Sequence, residues 1–242
     1  MRPSEPRAAG GSRRFLLAGA ILLAIAGFTG LGVWQLQRRT WKLDLIAQVE
    51  ARLAAAPVDA PGPAAWPLLS SSDAYTRVQA SGRFLHDRET AVLAVTDLGS
   101  GYWILTPLET RDFTLLVNRG FVPPERRDPA SRPEGQVPGE VAVAGLLRPT
   151  EPGGGFLRAN DPAADRWYSR DVDAIAAARG LGWVAPYFVD ADAAPNPGGL
   201  PLGGLTAVHF RNPHLGYALT WFALAGGLAY LAVRAARRRG EE

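Results

Sequence analysis

The stretch FLLAGAILLAIAGFTGLGV (Phe15–Val33) contains no charged side chain across its 19 positions. That length suits an α-helix that crosses the hydrocarbon core of a bilayer. A second stretch near the other end of the chain, LGYALTWFALAGGLAYLAV (Leu215–Val233), is also uncharged and of similar length. It carries Tyr217, Trp221 and Tyr230, and amphipathic aromatics of this kind favour the membrane interface. The two stretches therefore predict a protein that crosses a membrane twice.

The first apolar stretch is predicted to be a retained anchor and not a cleaved signal peptide. Its apolar core is longer than the usual signal-peptide core, and no small-x-small cleavage site follows it. It continues instead into Trp34, Gln35 and a basic helix. We place the two transmembrane helices at residues 15–35 and 213–233.

The basic residues at the two ends predict the orientation of the spans. Arginines cluster in both tails: Arg2, Arg7, Arg13 and Arg14, and Arg234, Arg237, Arg238 and Arg239. The positive-inside rule places the tails 1–14 and 234–242 in the cytoplasm. Arg38 and Arg39 oppose this orientation, but long domains are translocated largely regardless of charge. Residues 36–212 are then extracytoplasmic, and the Ala, Arg, Gly and Pro bias indicates the periplasmic side of a bacterial inner (plasma) membrane.

The composition excludes several classes of function. The absence of cysteine excludes a disulfide framework and thiolate metal sites. The net charge is only +3, and no basic stripe interleaved with aromatics is present, so no nucleic acid partner is expected. The motifs of serine hydrolases, P-loop proteins, dinucleotide enzymes and zinc proteases are missing, so we predict no enzyme. Asp161 and Asp165 are predicted to be solvated loop acids beside arginines.

The residues between the spans predict an α+β membrane protein whose extracytoplasmic domain is an antiparallel β-rich small sheet or barrel. An amphipathic helix is expected to continue to Ala56, followed by a linker as far as Leu69. The predicted strands are Tyr75–Leu85, Thr90–Val95, Tyr102–Pro107, Phe113–Asn118, Glu140–Leu147, Trp183–Val189 and Leu205–Arg211. Residues 99–101 are predicted to be a turn, and Asp171–Arg179 a short helix.

The outer end of the second span carries the first candidate site residues. Asn212 and Pro213 are typical of a helix start and place His214 in the first turn. Helical spacing puts Tyr217 and Trp221 on the same side. An imidazole in this setting can ligate haem iron, or it can be an interfacial histidine that bonds to water or a carbonyl. The residues alone leave both interpretations open.

The outer end of the first span carries the second set. Trp34 and Arg38 fall on one helical stripe, and Gln35 and Arg39 fall on the adjacent stripe. Guanidinium groups at this depth pair with haem propionates or with lipid phosphate, and both remain open. Three glycines permit close helix packing or a flat cofactor between the helices: Gly27, Gly30 and Gly32.

An ordered set of short segments runs from the first span to the second and covers nearly the whole chain. These segments are Gly32–Gln35, Gly82-x-Phe84, Tyr102–Leu108, Leu116–Pro123, Gly145–Arg148, Asn160–Pro162, Trp167-Tyr168 and His214–Phe222. The set resembles the Surfeit locus protein 1 family of cytochrome c oxidase assembly factors. Pro213 departs from the pattern, in which a second polar residue, often Asn, is expected.

The resemblance implies a role in maturing a haem-copper oxidase, at the step where haem a enters the catalytic subunit. It implies transient binding of haem a at the outer membrane face, with His214 as the ligand of the haem iron. The other motif positions implied for the pocket are Trp34, Gln35, Arg38, Tyr217 and Trp221. Arg38 or Arg39 is expected to meet the propionates. The implied partners are the oxidase catalytic subunit, the haem a synthesis machinery and membrane lipid.

An alternative is a scaffold that stabilises an oxidase subunit during assembly without binding haem. In that case the segment Asn118-Arg119-Gly120 and the Pro-rich loop after it are predicted to be contact surfaces. An absorption spectrum separates the two hypotheses, because only the first predicts a haem band.

Overall fold

The computed structural model describes residues 9–206, 210 and 212–240. It contains two long helices, α1 (Ala9–Ala54) and α3 (His214–Gly240). A β-rich region with one short helix, α2 (Val172–Ala178), lies between them in the chain. The chain divides into two compact units. One unit holds α1 up to Gln48 together with α3, and the other begins at Val49 and holds the β-rich region.

Both predicted spans are helical and apolar enough to cross a membrane. The mean hydropathy of the most apolar window is 2.2 in α1 and 1.4 in α3. Only 6% and 11% of the residues in these windows are buried. A core helix of a soluble protein is mostly buried, whereas these helices leave apolar surface that requires lipid. The expectation of two terminal membrane helices is confirmed.

The β-rich unit is a closed barrel with extra strands at its margin. Its seven strands are β1 (Val58–Asp59), β2 (Arg77–Phe84), β3 (Thr90–Thr96), β4 (Gly99–Glu109), β5 (Thr114–Val122), β6 (Glu140–Pro149) and β7 (Val184–Ala191). The order in the sheet is β1-β2-β6-β7-β5-β4-β3, and β2 also pairs with β4. That pairing closes β2, β6, β7, β5 and β4 into a five-stranded barrel. The predicted β-rich fold is confirmed, and of its two forms the barrel is the one found.

The strand pairings are mainly antiparallel, as expected, with two parallel exceptions. β1 runs parallel to β2, and β5 runs parallel to β7, where Leu116 lies opposite Phe188. Parallel neighbours require a long crossover connection. The connection from β5 to β7 contains β6 and α2. Hairpin spacing in the sequence therefore predicts the antiparallel pairs of β3 with β4 and of β4 with β5, but not this parallel pair.

One predicted turn is wrong. Gly99 and Gly101 belong to β4, and the hairpin turn lies at Asp97 and Leu98. A Cβ atom on Gly101 would come within 2.3 Å of the backbone oxygen of Val122. The glycine is thus needed for the close approach of β5 and not for a turn, a role that Gly also plays in strands.

Three other segments refine the predicted elements. The predicted linker, residues 57–69, contains the short strand β1. The predicted short helix at Asp171–Arg179 is found as α2, and its N-cap is Asp171, whose side chain accepts the Ala174 N–H. Residues 205, 206 and 210 are not in a strand, so the predicted strand 205–211 is not found there. Its remaining positions lie outside the described residues.

Two hydrophobic clusters hold the β-rich unit together, one on each face of β5. Leu115 and Val117 pack in the first cluster with residues of β2, β4, β6 and β7. Leu116 packs in the second cluster with Val172 and Ile175 of α2. Because strand side chains alternate between faces, Leu115 and Val117 of β5 point into the barrel and Leu116 points away from it. Burial on both faces explains the near-continuous apolar run in this strand.

Candidate functional site

The two membrane helices pack antiparallel against each other through aromatic and small residues. Phe28 of α1 stacks on Trp221 of α3 with ring centroids 5.6 Å apart and planes inclined at 24°. Gly32 lies against the Phe222 ring, where a Cβ atom would come within 2.6 Å of a ring carbon. Gly32 is therefore required for close approach at this level. At this level the Phe222 ring lies between the helices, whereas a Cβ atom on Gly27 or Gly30 would meet no atom within 4 Å.

The predicted site residue His214 is joined to the predicted site residue Gln35. His214 is the first residue of α3 and is half-buried, and its Nδ1 lies 2.7 Å from Gln35 Oε1. An amide oxygen only accepts hydrogen bonds, so Nδ1 of His214 is the donor. In the neutral imidazole with this hydrogen bond, the lone pair lies on Nε2. Among the described residues, Gln35 is the only hydrogen-bond partner of this ring.

The other predicted site residues lie at different distances from this pair. Arg39 follows Gln35 by four residues on the same helical face, about 6 Å farther along the axis, and it is half-buried. Arg38 is exposed and stacks its guanidinium 4.0 Å above the ring centroid of Trp41. Trp34 is also exposed on α1, at 53% of its surface. The segment of α1 from Trp34 to Trp41 thus carries two guanidinium groups and two exposed indole rings.

The two aromatic candidates on α3 differ in their surroundings. Tyr217 lies one turn from His214 and is 55% exposed. Trp221 lies seven residues from His214, about 10 Å along the axis, and its ring packs on Phe28. Tyr217 therefore remains beside the histidine, whereas Trp221 belongs to the packing contact deeper in the helix pair.

Asn212, a residue type that favours the N-cap position, is not the N-cap of the second span. The first helical hydrogen bond of α3 runs from the Tyr217 N–H to the carbonyl of Pro213 at 3.3 Å. The residue that accepts this bond is the N-cap, and here it is Pro213. The side-chain oxygen of Asn212 is buried and has no partner among the described residues. The pair of His214 with Gln35 was not foreseen, although both are polar residues at the ends of apolar helices.

Of the surface predicted for the scaffold alternative, the segment Asn118-Arg119-Gly120 is buried, whereas the Pro-rich loop after it exposes Pro124, Glu125 and Arg126. Asn118 is 4% exposed and Arg119 is 1% exposed. The Asn118 side chain donates to Asp190 Oδ1 at 2.7 Å. Gly120 has a φ of +130°, and a Cβ atom there would meet the carbonyl oxygen of Leu202 at 2.1 Å. This segment is an internal part of the barrel, so it cannot contact a partner as predicted.

A buried carboxylate network ties three strands of the barrel together. Asp190 of β7 accepts Arg148 Nη1 at 2.9 Å and Arg170 Nη1 at 3.0 Å. Burial alone would lower the pKa of Arg170, but its bonds to Glu151 and the charge of Asp190 outweigh burial and raise the pKa. No buried side-chain atom of Asp190, Arg148, Arg170 or Glu151 lacks a partner, which is the arrangement of a structural ion cluster.

The remaining charged and histidine candidates have ordinary roles. Asp161 pairs with Arg166 at 2.5 Å, and Asp165 pairs with Arg127 at 3.5 Å, so both are loop acids beside arginines as predicted. His86 is half-buried. His209 lies outside the described residues.

The fold and the site define a two-span membrane protein with a five-stranded barrel domain. In its site, Gln35 of the first span accepts a hydrogen bond from His214 at the start of the second span. The model of the SURF1 family matches residues 22–226 of the chain. Surfeit locus protein 1 of Rattus norvegicus is 40% identical over 227 residues, which cover 87% of this chain and 72% of the rat protein. The protein of that name from Homo sapiens is 37% identical over 235 residues, covering 90% and 76%. A SURF1-like protein of Drosophila melanogaster is 35% identical over 237 residues, covering 89% and 76%.

The chain therefore belongs to the SURF1 family, a family of cytochrome c oxidase assembly factors. The resemblance found in the sequence is confirmed. Binding of haem a by His214 is not tested by these comparisons and stays a prediction.

Proposed function

We propose that this protein serves cytochrome c oxidase assembly by holding haem a transiently at the outer membrane face and helping its insertion into the catalytic subunit. Membership of the SURF1 family supports the role in oxidase assembly. The observation that carries the haem-binding step is the 2.7 Å hydrogen bond between His214 Nδ1 and Gln35 Oε1.

That hydrogen bond prepares an imidazole for iron. Histidines that ligate metals almost always donate their other ring N–H to an oxygen acceptor, which fixes the tautomer and the ring orientation. Gln35 supplies this acceptor to His214 from the opposite helix. The Nε2 atom keeps its lone pair, and haem iron takes a histidine nitrogen as an axial ligand. The residues present thus fit the group that the family implies.

The surroundings of the pair suit the remaining parts of haem a. Arg39 and Arg38 lie within about one turn beyond Gln35, where guanidinium groups can pair with propionates. Because Phe222 fills the space between the helices at Gly32, the macrocycle belongs on the open face of the pair. The apolar tail of haem a can then remain in lipid.

The proposed role is delivery and not turnover. The chain has no cysteine, so covalent attachment of haem through a CxxCH motif is excluded. A single axial bond at a half-exposed histidine permits release to the oxidase subunit. We further propose that the protein resides in a bacterial inner membrane with both tails cytoplasmic and the barrel in the periplasm, as the tail arginines indicate. The haem a synthesis machinery is the proposed donor.

The test is an absorption spectrum of the protein purified from cells that make haem a. We expect the wild type to show a reduced haem a band that His214→Ala abolishes. Gln37→Ala is the matched control, because Gln37 is an exposed glutamine two residues from Gln35 on the same helix. A band that persists in His214→Ala places the ligand elsewhere. No band in any of the proteins favours the scaffold alternative.

A further inference from the structure

A guanidinium group lies inside the mouth of the barrel. Leu115 and Val117 of β5 face the interior, and the alternation of strand side chains directs Arg119 inward as well. Arg119 is 1% exposed, and its guanidinium carbon lies 4.8 Å from the centroid of the Phe84 ring. An arginine is almost never fully buried unless an anion or another acceptor set pairs with it.

The neutral groups around this guanidinium satisfy only part of it. Nη2 of Arg119 donates to the carbonyl of Gly135 at 2.6 Å and to Asn196 Oδ1 at 2.7 Å. Nε and Nη1 are buried and have no partner among the described residues. The side-chain nitrogen of the neighbouring Gln136 is also buried without a partner in that part of the chain. Unmet donors of this kind are rare in folded proteins and indicate a missing acceptor.

No carboxylate of the described residues neutralises Arg119. Glu89 is 4% exposed and is engaged by Arg132, with one bond of 3.2 Å from Nη1 to Oε2. Asp192 lies in the same cavity wall, but it accepts the Ala194 N–H at 3.0 Å and forms no ion pair with Arg119. Burial lowers the pKa of Arg119 to about 10, which still leaves it protonated at neutral pH. The cluster of two arginines and one glutamate therefore holds one positive charge in excess.

The Arg119 side chain lines a cavity of about 180 Å³. Its wall includes Arg119, Asn196, Phe84, Val117, Val141 and Val143. A single water needs only about 10–15 Å³ of such volume, so the cavity has room for a small organic molecule. The wall, which also includes Ala191, is mainly apolar, and its charged groups are Arg119 and Asp192. The carboxylate of Asp192 accepts the Ala194 N–H, whereas Arg119 keeps unmet donors among the described residues. A wall of this kind matches a ligand with one anionic end and a short hydrocarbon part.

We propose that this cavity binds a small monocarboxylate with a short apolar chain. The carboxylate accepts a charge-assisted hydrogen bond from a free N–H of Arg119 and neutralises the buried cation. The hydrocarbon part covers Phe84 and the valines. Water alone would meet the hydrogen bonds but not the charge, and inorganic phosphate would leave the apolar wall uncovered. The site belongs to the barrel and does not depend on haem binding.

Calorimetric titration of the full-length protein in detergent with butyrate, and with butyramide as its neutral counterpart, tests the proposal. We expect butyrate to bind at least tenfold more tightly than butyramide. Arg119→Gln removes the charge, and Ala191→Leu fills the cavity while it keeps the charge, so both are expected to abolish butyrate binding. Arg83→Gln is the matched control, since Arg83 is an exposed arginine of the barrel paired with Glu109, and it is expected to bind like wild type.

Three results overturn the proposal. One is equal affinity for butyrate and butyramide, which would show a neutral cavity. Another is butyrate binding that survives Arg119→Gln or Ala191→Leu. The third is the absence of binding across the straight-chain acids from acetate to hexanoate. If circular dichroism shows that Arg119→Gln does not fold, the amide comparison and Ala191→Leu decide the question.

Discussion

Gly32→Ala is expected to weaken haem a binding without touching any proposed ligand. A Cβ atom at this position would lie 2.6 Å from a Phe222 ring carbon, with two further ring carbons at 2.7 and 2.8 Å. Carbon atoms in normal contact are about 3.5–4.0 Å apart, so the helices or the ring must move by about 1 Å. The substitution by itself favours a helix, since alanine has the higher helix propensity. Any loss therefore arises from packing.

The magnitude follows from the distance between Gly32 and Gln35. The two residues are separated by about 4.5 Å along α1, so a displacement at Gly32 reaches Gln35. If the helices separate by about 1 Å, the bond between His214 and Gln35 lengthens from 2.7 Å to about 3.7 Å, beyond hydrogen-bond range. Loss of such a supporting bond costs about 10–100-fold in metal affinity. We expect this range for the dissociation constant of haem a.

The assay is a titration of the purified full-length protein with haem a, followed by its absorption band. Gly30→Ala is the matched control, because it is the same substitution on the same helix with no atom within 4 Å of the new Cβ. The double variant Gly32→Ala/Phe222→Ala relieves the clash and is expected to recover most of the affinity. Wild-type affinity in Gly32→Ala, or an equal loss in Gly30→Ala, would refute the reasoning.

Two further predictions concern the barrel. Asp190→Asn leaves the charges of Arg148 and Arg170 without their buried partner, and it is expected to lower the free energy of unfolding by about 3 kcal/mol in urea titrations. The control Asp112→Asn, at an exposed position, should change the free energy of unfolding little. Equal effects of the two substitutions would contradict the network. Burial lowers the pKa of His86 below 6.5, so the unfolded chain binds a proton more readily than the folded chain does. The contribution of His86 to the free energy of unfolding should therefore be fully present above pH 6.5 and fall as the pH drops below that value. His86→Gln should flatten this dependence, and an unchanged slope in that variant would assign it to other groups.

Local patterns predicted most of the helices and strands of this protein. Phe15–Val33 and Leu215–Val233 predict membrane helices because hydrophobic length is a property of the segment itself. The strands from β2 to β7 followed from alternation and turn residues, which also act over a few positions. The prediction of a turn at residues 99–101 was wrong because glycine occurs both in turns and at close contacts between strands, and the sequence does not distinguish these two roles.

Contacts between distant residues were decided only by the tertiary structure. The pair of His214 with Gln35 spans 179 residues, and either residue alone is an ordinary polar group near a membrane face. The closure of the barrel by β2 with β4, and the parallel pair of β5 with β7, depend on how the strands are arranged in space. Arg119 resembles a surface arginine in the sequence, yet the inward face of β5 buries it. The sequence determined which residues form helices and strands, because those preferences are local; packing decided which polar groups meet, because burial depends on the whole fold.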